Sequence, residues 1–269
     1  MKRIAALVAK ELNELRRSPS IFLPAAVTGA AAILYPFVIV IIVPYFAGER
    51  LADSSDFRLA TEVFRSQPEA RGLTPEGAIQ AFVFEYALVL MVGLTTVTGS
   101  MAVAAHSVVG EKQARTLEPL LATPVTTFEL LAAKIIGAAL PGIALMLTCF
   151  AIYVAAVAIF AERGVWMMLL TPRSLVLVLI MGPLAALLGL QLAVCASSRV
   201  NDARTAQQLG ALIIVLPIAA LQIGQFVGGI VLTARMIAVI AVLLCAGNAI
   251  LMSIAIRLFD RESILTRWK

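Results

Sequence analysis

The sequence predicts an all-α, polytopic integral membrane protein with six transmembrane helices. Apolar residues make up 61% of the 269 residues and charged residues 14%, whereas a soluble domain averages about 25% charged residues. The apolar residues are gathered in long runs, and a run of roughly 20 such residues crosses a bilayer as a helix. This composition leaves little room for a soluble domain.

Six apolar runs are long enough to form membrane spans. The predicted spans are Ile21–Phe46, Ala78–Ala104, Leu130–Phe160, Leu175–Ala196, Ala206–Ile223 and Met236–Leu258. The first run is too long for the apolar region of a cleavable signal, so it is expected to stay in the protein. The fifth run is the shortest, and Gly224–Gly229 behind it forms either a re-entrant turn or a simple loop.

Residues 1–20 predict a separate amphipathic helix ahead of the first span. Apolar side chains fall on one helical face and basic side chains lie around the rest. Such a helix lies in the membrane interface with its apolar side in lipid and its cations among anionic headgroups. Membrane lipid is therefore an expected partner. The apolar face comprises Ile4, Leu7, Val8, Leu12 and Leu15, and the basic residues are Lys2, Lys10, Arg16 and Arg17.

The distribution of basic residues predicts the orientation in the membrane. An even number of spans puts both termini on one side, and 14 of the 21 Lys and Arg residues lie in the segments on that side. Basic residues concentrate in cytoplasmic segments, so both termini are expected in the cytoplasm. The polar loop 47–77 then lies outside, and it is too short to have a core of its own. The net charge of +5 reflects this sidedness, and no nucleic-acid partner is expected.

Glu85 is the one acidic residue clearly inside an apolar run, close to its predicted outer end. An intramembrane carboxylate is costly and indicates contact with an ion or a substrate. The alternative is that Glu85 reaches the headgroup region or pairs with an outer arginine. Gln191, Gln222, Gln225 and Asn248 are further candidates to line a polar pathway, and they are equally suited to hydrogen bonds between helices.

The chain carries no recognisable catalytic apparatus. A nucleotide-binding GxxxxGK[ST] sequence is absent, as are the HExxH and GxSxG patterns of metalloproteases and serine hydrolases. We therefore expect no catalytic residue, no metal site and no cofactor in this chain. Any work powered by ATP requires a second polypeptide.

The segment 105–129, between the second and third predicted spans, combines charges with leucines. Its central part predicts a short helix that bears a leucine patch beside acidic and basic residues. Thr126 and Glu129 then form a capping box at the start of the third span. The short helix either presses its leucines into the groove of a partner protein or lies on lipid, and the physical arguments leave the two equal.

The stretch "GEKQARTLEPLLATPVTTFELLAAK" (residues 110–134) resembles the signature loop of the ABC-2-type family, the membrane subunits of one class of ABC transporter. Three other stretches resemble sequences of the same family more weakly, and each lies at the place expected for it in a six-span chain. They are "AKELNELRRSPS" before the first span, "SSRVNDARTAQQLG" between the fourth and fifth, and "LFDRESILTRWK" at the end. Together the four matches extend over the whole chain and imply one six-span domain at 21–269.

The resemblance implies the power source and the partners. In that family two such subunits, identical or different, pair with two separate ATPase subunits, which bind the ATP and magnesium. The loop after the second span acts as a coupling helix docked on the ATPase, and residues 1–20 correspond to an interfacial elbow helix. Members are mostly exporters, and the plasma (inner) membrane of a prokaryote is the implied location. The coupling residues so implied are Glu111, Arg115, Thr116, Leu117, Glu118, Leu121, Thr123 and Pro124.

Two other functions stay open from the sequence. One is an ion-coupled secondary transporter or channel that uses Glu85 and needs no ATPase. The other is a non-transporting assembly subunit whose inner helix only recruits a soluble partner. The scarcity of charges within the spans slightly favours an amphipathic cargo over a highly charged one.

Overall fold

The computed structural model describes residues 23–48, 72–114, 127–197, 203–228 and 232–258, together with the isolated positions 8, 9, 13 and 51. The regular elements within these ranges are all helical, which confirms the predicted all-α class. Most of the predicted N-terminal helix, most of loop 47–77 and all of residues 115–126 lie outside the described residues, so their predicted structures stay predictions.

The helices follow one another in an up-and-down bundle. We number them in chain order and name the two π-helical turns separately. They are α1 (Leu23–Phe37), π1 (Val38–Ile42), α2 (Val43–Ala47), α3 (Pro75–Ala114), α4 (Thr127–Phe160), α5 (Val165–Met168), α6 (Pro172–Val176), π2 (Leu177–Met181), α7 (Gly182–Ser197), α8 (Ala203–Gly228) and α9 (Ala234–Leu258).

Five helices in the described part of the chain are long and apolar enough to cross a membrane: Leu23–Phe46, Pro75–Met101, Ala132–Phe160, Pro172–Ala196 and Ala234–Arg257. They coincide within a few residues with five of the six predicted spans. The remaining prediction falls on α8, whose apolar stretch among the described residues is the shorter Val215–Gln225. Gly224 and Gly228 belong to the last turns of α8. The helix therefore continues through a stretch for which the sequence predicted either a re-entrant turn or a simple loop.

Helix α3 is the centre of the bundle. It packs against α1, α4, α7 and α8, and 72% of its apolar stretch is buried. In α9 the buried share is 6%, which leaves most of its surface for lipid or another protein. Helix α3 has 40 residues and is therefore about 60 Å long at 1.5 Å per residue, roughly twice the apolar thickness of a bilayer. The helix therefore continues well beyond its apolar part, as far as Ala114.

Both π-helical turns are followed by a proline. The N–H of Val43 donates to Val38 O at the end of π1, and the N–H of Gly182 donates to Leu177 O at the end of π2. Pro44 and Pro183 come next, and a proline has no N–H with which to continue an α-helical ladder. The wider turn accommodates that missing donor, which gives these two spans local irregularities at defined places.

A close approach between α3 and α4 needs a glycine. A Cβ added to Gly142 on α4 would overlap the hydroxyl of Ser100 on α3 and lie 3.2 Å from its backbone nitrogen. The backbone of a helix cannot give way as a flexible side chain can. Gly142 therefore sets the separation of these two helices.

Gly142→Ala is expected to lower the free energy of unfolding by about 1–3 kcal/mol because the added methyl group overpacks this contact. The matched control is Gly99→Ala on the facing helix, where an added Cβ would meet its nearest neighbour, Ala25 Cβ, at 3.5 Å. That is ordinary van der Waals contact, so the control should be neutral or slightly more stable. Unfolding of the purified protein in detergent measures both. Equal stability of the two variants would contradict the tight contact.

Candidate functional site

Three consecutive residues of α3 bind three different parts of the chain. Tyr153 on α4 donates its hydroxyl to Phe84 O at 2.8 Å. Glu85 forms an ion pair with Arg173 on α6. Gln222 on α8 donates its side-chain amide to Tyr86 O at 3.0 Å. We call this end of the bundle, where α3 begins and α4 ends, the Glu85 end.

The arginine of the ion pair is held in place by the start of its own helix. Thr171 caps α6 by accepting the N–H of Ser174, and Pro172 occupies the first turn, where its missing N–H costs nothing. Ser174 also donates its hydroxyl to Met168 O at 3.2 Å, which ties α6 to the preceding turn. Arg173 donates in addition to Leu232 O, just before α9, at 3.3 Å.

The ion pair is largely withdrawn from solvent. The side chain of Glu85 is 14% exposed and that of Arg173 26% exposed. Removing one partner of such a pair would leave the other charge buried without compensation. The pair therefore joins α3, α6 and the segment before α9 strongly, although the three are far apart in the sequence.

The first turn of α3 is fastened to the loop that follows α4. Thr74 donates its hydroxyl to the Glu162 carboxylate and accepts the N–H of Gly77 at 2.9 Å. The N–H of Glu162 donates to the side-chain oxygen of Gln80 at 2.8 Å. These bonds anchor the Glu85 end of α3 about one to three helical turns further out than the ion pair.

A small cavity opens beside the ion pair. Its volume is about 20 Å³, and a cavity needs about 10–15 Å³ to hold one water molecule. Gln225 of α8 is 2% exposed, and its side-chain oxygen has no hydrogen-bond partner among the described residues. The cavity is lined by Glu85, Tyr86, Leu88, Val89, Arg173, Ser174, Leu177, Gln225, Leu232 and Ile237.

The structure brings together some predicted pathway residues and separates others. Glu85 and Gln222 both lie at the Glu85 end. Glu85 pairs with an arginine, Arg173, which was one of the alternatives that the sequence left open. Asn248 instead joins α9 to α7, because its amide donates to Leu184 O at 3.0 Å and to Leu244 O at 2.8 Å. Gln191 is buried on α7 and does not line the cavity. A role of these residues in an ion or cargo pathway stays a prediction.

The residues assigned to ATPase coupling lie almost wholly outside the described part. Glu111 belongs to α3, but its side chain is not described, and Arg115, Thr116, Leu117, Glu118, Leu121, Thr123 and Pro124 fall within 115–126. The two flanking helices are described: α3 ends at Ala114, and α4 begins at Thr127 with Glu129 in its first turn. The helix start agrees with the predicted cap at Thr126, itself outside the described residues.

Arg173 and Tyr153 were not among the predicted site residues, whereas Gln225 was a candidate to line a polar pathway. For Arg173 a signal was available in the sequence. It follows Thr171-Pro172, a typical helix start, and lies just before the fourth predicted span, on the same predicted side of the membrane as Glu85. Tyr153 and Gln225 both lie within apolar stretches, and the sequence does not show which neighbouring helix either side chain contacts. Their importance depends on which helix each one faces.

Tyr153→Phe is expected to lower the free energy of unfolding by about 1 kcal/mol, because the buried hydroxyl loses its bond to Phe84 O while the ring still packs. The control is Tyr35→Phe on α1, where the residue is 41% exposed. Unfolding of both variants in detergent provides the comparison. A Tyr153 variant as stable as the control would show that this bond contributes little.

The comparisons with known proteins agree with this architecture. The family model described as "ABC-2 family transporter protein" matches residues 66–256, which is well over half of the chain. No curated protein and no solved structure matches the chain. The matched range includes α3, α4, the ion pair and the whole stretch 110–134 on which the sequence resemblance was based. The chain belongs to the ABC-2 transporter family and is a multi-pass membrane permease of the ABC transporter class.

Proposed function

We propose that this chain is the permease subunit of an ATP-driven exporter and that it is driven by separate ATPase subunits. The observation that carries the proposal is the family match over a chain that has no nucleotide-binding sequence and whose described part includes five helices long and apolar enough to cross a membrane. A permease of this class needs an energy source, and a chain without a phosphate-binding loop must obtain it from a partner. ATP and magnesium would bind on that partner.

The segment between α3 and α4 is the proposed contact with the ATPase. It lies inside the matched range, and it combines a leucine patch with charges of both signs. A helix that docks in a groove uses apolar anchors for affinity and rim charges for orientation. The proposed contact residues are Glu111, Arg115, Thr116, Leu117, Glu118, Leu121, Thr123 and Pro124.

Helix α3 is suited to carry movement from that segment into the membrane. It contains Glu111 and ends at Ala114, immediately before the other proposed coupling residues, and its other end holds Glu85. Since α3 packs against α1, α4, α7 and α8, a displacement of α3 would shift the whole bundle. A long helix fastened at one end and pushed at the other behaves as a lever.

The proposal includes a second permease subunit, identical or related, with the export pathway between the two. Large apolar side chains are exposed along α1 and α9, among them Leu34 at 61%, Val242 at 67% and Leu243 at 64%. Such surfaces suit lipid or another membrane protein. The proposed location is the inner membrane of a prokaryote with both termini in the cytoplasm, following the bias of basic residues.

The ion pair weighs against the rival function of an ion-coupled transporter. A carboxylate that exchanges ions must release its protein partner in each cycle, whereas Glu85 is held by Arg173 in a largely buried pair. The two functions differ in whether efflux depends on ATP. Efflux that survives ATP depletion and disappears in Glu85→Gln would support the rival and contradict the proposal.

Co-purification tests the proposal most directly. The tagged chain, expressed in its native host and extracted in mild detergent, is expected to bring down a protein with a GxxxxGK[ST] sequence and to hydrolyse ATP only in that complex. A chain that purifies without an ATPase, under conditions that preserve its helical fold, would contradict it. A complex with an ATPase but no ATP-driven efflux would favour the assembly subunit.

A further inference from the structure

The amide of Gln225 poses a problem that the described residues do not solve. Its side chain is 2% exposed, and its oxygen has no hydrogen-bond partner among them. Buried polar atoms in native proteins are nearly always paired with protein groups or with ordered water, because an unpaired one loses its bonds to solvent. Gln225 lines the cavity beside the ion pair, so a partner bound in that cavity would satisfy the amide.

The size of the cavity limits what that partner can be. A volume of about 20 Å³ accepts one water molecule or one group of similar size, such as a hydroxyl. Besides the polar groups, the lining consists of apolar side chains, including Leu88, Val89 and Ile237. Because the cavity is partly open, a small polar head can enter it while its apolar continuation remains outside, whereas a large polar group does not fit.

The charges of the site select a neutral occupant. Glu85 and Arg173 neutralise each other, and Arg173 already donates to Glu85 and to Leu232 O. A cation in the cavity would lie next to the guanidinium, and an anion would lie next to the carboxylate. The oxygen of Gln225 needs a donor, and the Glu85 carboxylate has further lone pairs that accept one. A neutral group with an O–H satisfies all of these conditions.

We propose that the cavity at the Glu85 end is a binding site for one neutral hydroxyl donor, held by the side-chain oxygen of Gln225 next to the Glu85–Arg173 pair. The donor is a water molecule or the hydroxyl group of an amphipathic alcohol. The site links α8 to α3 and α6 through its occupant. It does not require the ATPase, so its existence is independent of the function proposed above.

The first experiment is a structure of the purified full-length chain in lipid nanodiscs at a resolution that shows water. A density peak is expected about 2.6–3.2 Å from the side-chain oxygen of Gln225. An empty cavity would overturn the proposal. A protein group that occupies the cavity and bonds to Gln225 would overturn it as well.

A second experiment distinguishes water from an alcohol. Thermal unfolding is measured with 1-hexanol, hexylammonium and hexanoate, in the wild type and in Gln225→Met, which keeps the side-chain length but removes the acceptor. If the alcohol hydroxyl binds, 1-hexanol raises the wild-type midpoint by about 1–2 °C relative to Gln225→Met. The matched control, Gln191→Met, is expected to keep the wild-type response, because that buried glutamine does not line the cavity.

The outcomes separate the two sources. A density peak without a hexanol effect identifies water as the occupant, and a hexanol effect that needs Gln225 identifies an alcohol. Stabilisation by hexylammonium or hexanoate that exceeds the hexanol effect and needs Gln225 would contradict a neutral site. If Gln225→Met does not fold, the density peak in the wild type still decides the proposal. None of these measurements uses ATP or an ATPase, so they succeed or fail independently of the exporter assignment.

Discussion

Arg173→Glu is expected to lower the free energy of unfolding by about 3–5 kcal/mol, the usual cost of leaving one charge of a buried pair uncompensated. The substitution removes the partner of Glu85 and places a second carboxylate beside it. It also removes the donor to Leu232 O, so the segment before α9 loses its contact with α6. The measurement is unfolding of the purified protein in detergent, by heat and by titration with sodium dodecyl sulfate.

Two further variants show whether the effect belongs to the pair. Arg163→Glu makes the same change at an exposed arginine in the loop after α4, and it should alter stability by less than about 0.5 kcal/mol. The exchanged pair, Glu85→Arg with Arg173→Glu, should recover at least half of the loss, since opposite charges face each other again. No recovery in the double variant would mean that the cost of Arg173→Glu comes from packing and not from the ion pair.

Glu118→Arg combined with Leu121→Asp is expected to reduce ATP-driven efflux about a hundredfold while the helical fold is retained. The two substitutions reverse one rim charge and place a charge in the leucine patch. Loss of two interface anchors costs on the order of 2–3 kcal/mol of binding, which corresponds to that factor. The assay compares efflux from cells or vesicles with the amount of ATPase that the tagged chain retains.

The control for this variant makes the same changes in the predicted outer loop. Glu62→Arg combined with Leu59→Asp alters charge and polarity equally, and it should leave efflux and ATPase recovery unchanged. Normal efflux in the Glu118 and Leu121 variant would show that the coupling assignment is wrong. A loss of efflux with full recovery of the ATPase would place the defect after docking, in the transmission along α3.

The sequence was sufficient to predict the helical class and most of the span positions. Span length and apolar composition are local properties, and the requirement that the backbone satisfy its own hydrogen bonds in lipid leaves a helix as the only outcome for such runs. The start of α4 at Thr127 was also predictable, because the predicted capping box, Thr126 with Glu129, is a pattern of residues close together in the sequence. The shortest of the predicted spans lies on α8, which also has the shortest apolar stretch among the described helices that match predicted spans.

Side-chain partners between helices could not be predicted in the same way. The small residues Ala185, Gly189, Ala193 and Ser197 recur every four positions along α7, a spacing that suits either packing within the subunit or a contact between subunits. Ala193 is fully buried in a cluster with residues of α3 and α4, including Val97 and Ala138, so at this position α7 packs within the subunit. The choice depended on how α7 is rotated about its axis, and the spacing of small residues is the same for either rotation.

By itself the sequence determined that this is a helical membrane protein of the ABC-2 transporter family, and that its 269 residues contain no GxxxxGK[ST] motif. Those properties follow from composition, run length and short motifs, all of which lie along one stretch of chain. Only the tertiary structure decided that Glu85 pairs with Arg173, 88 residues away, and that Tyr153 and Gln222 fasten the neighbouring residues of α3. These contacts depend on which faces of distant helices meet, and helix packing is a property of the whole bundle.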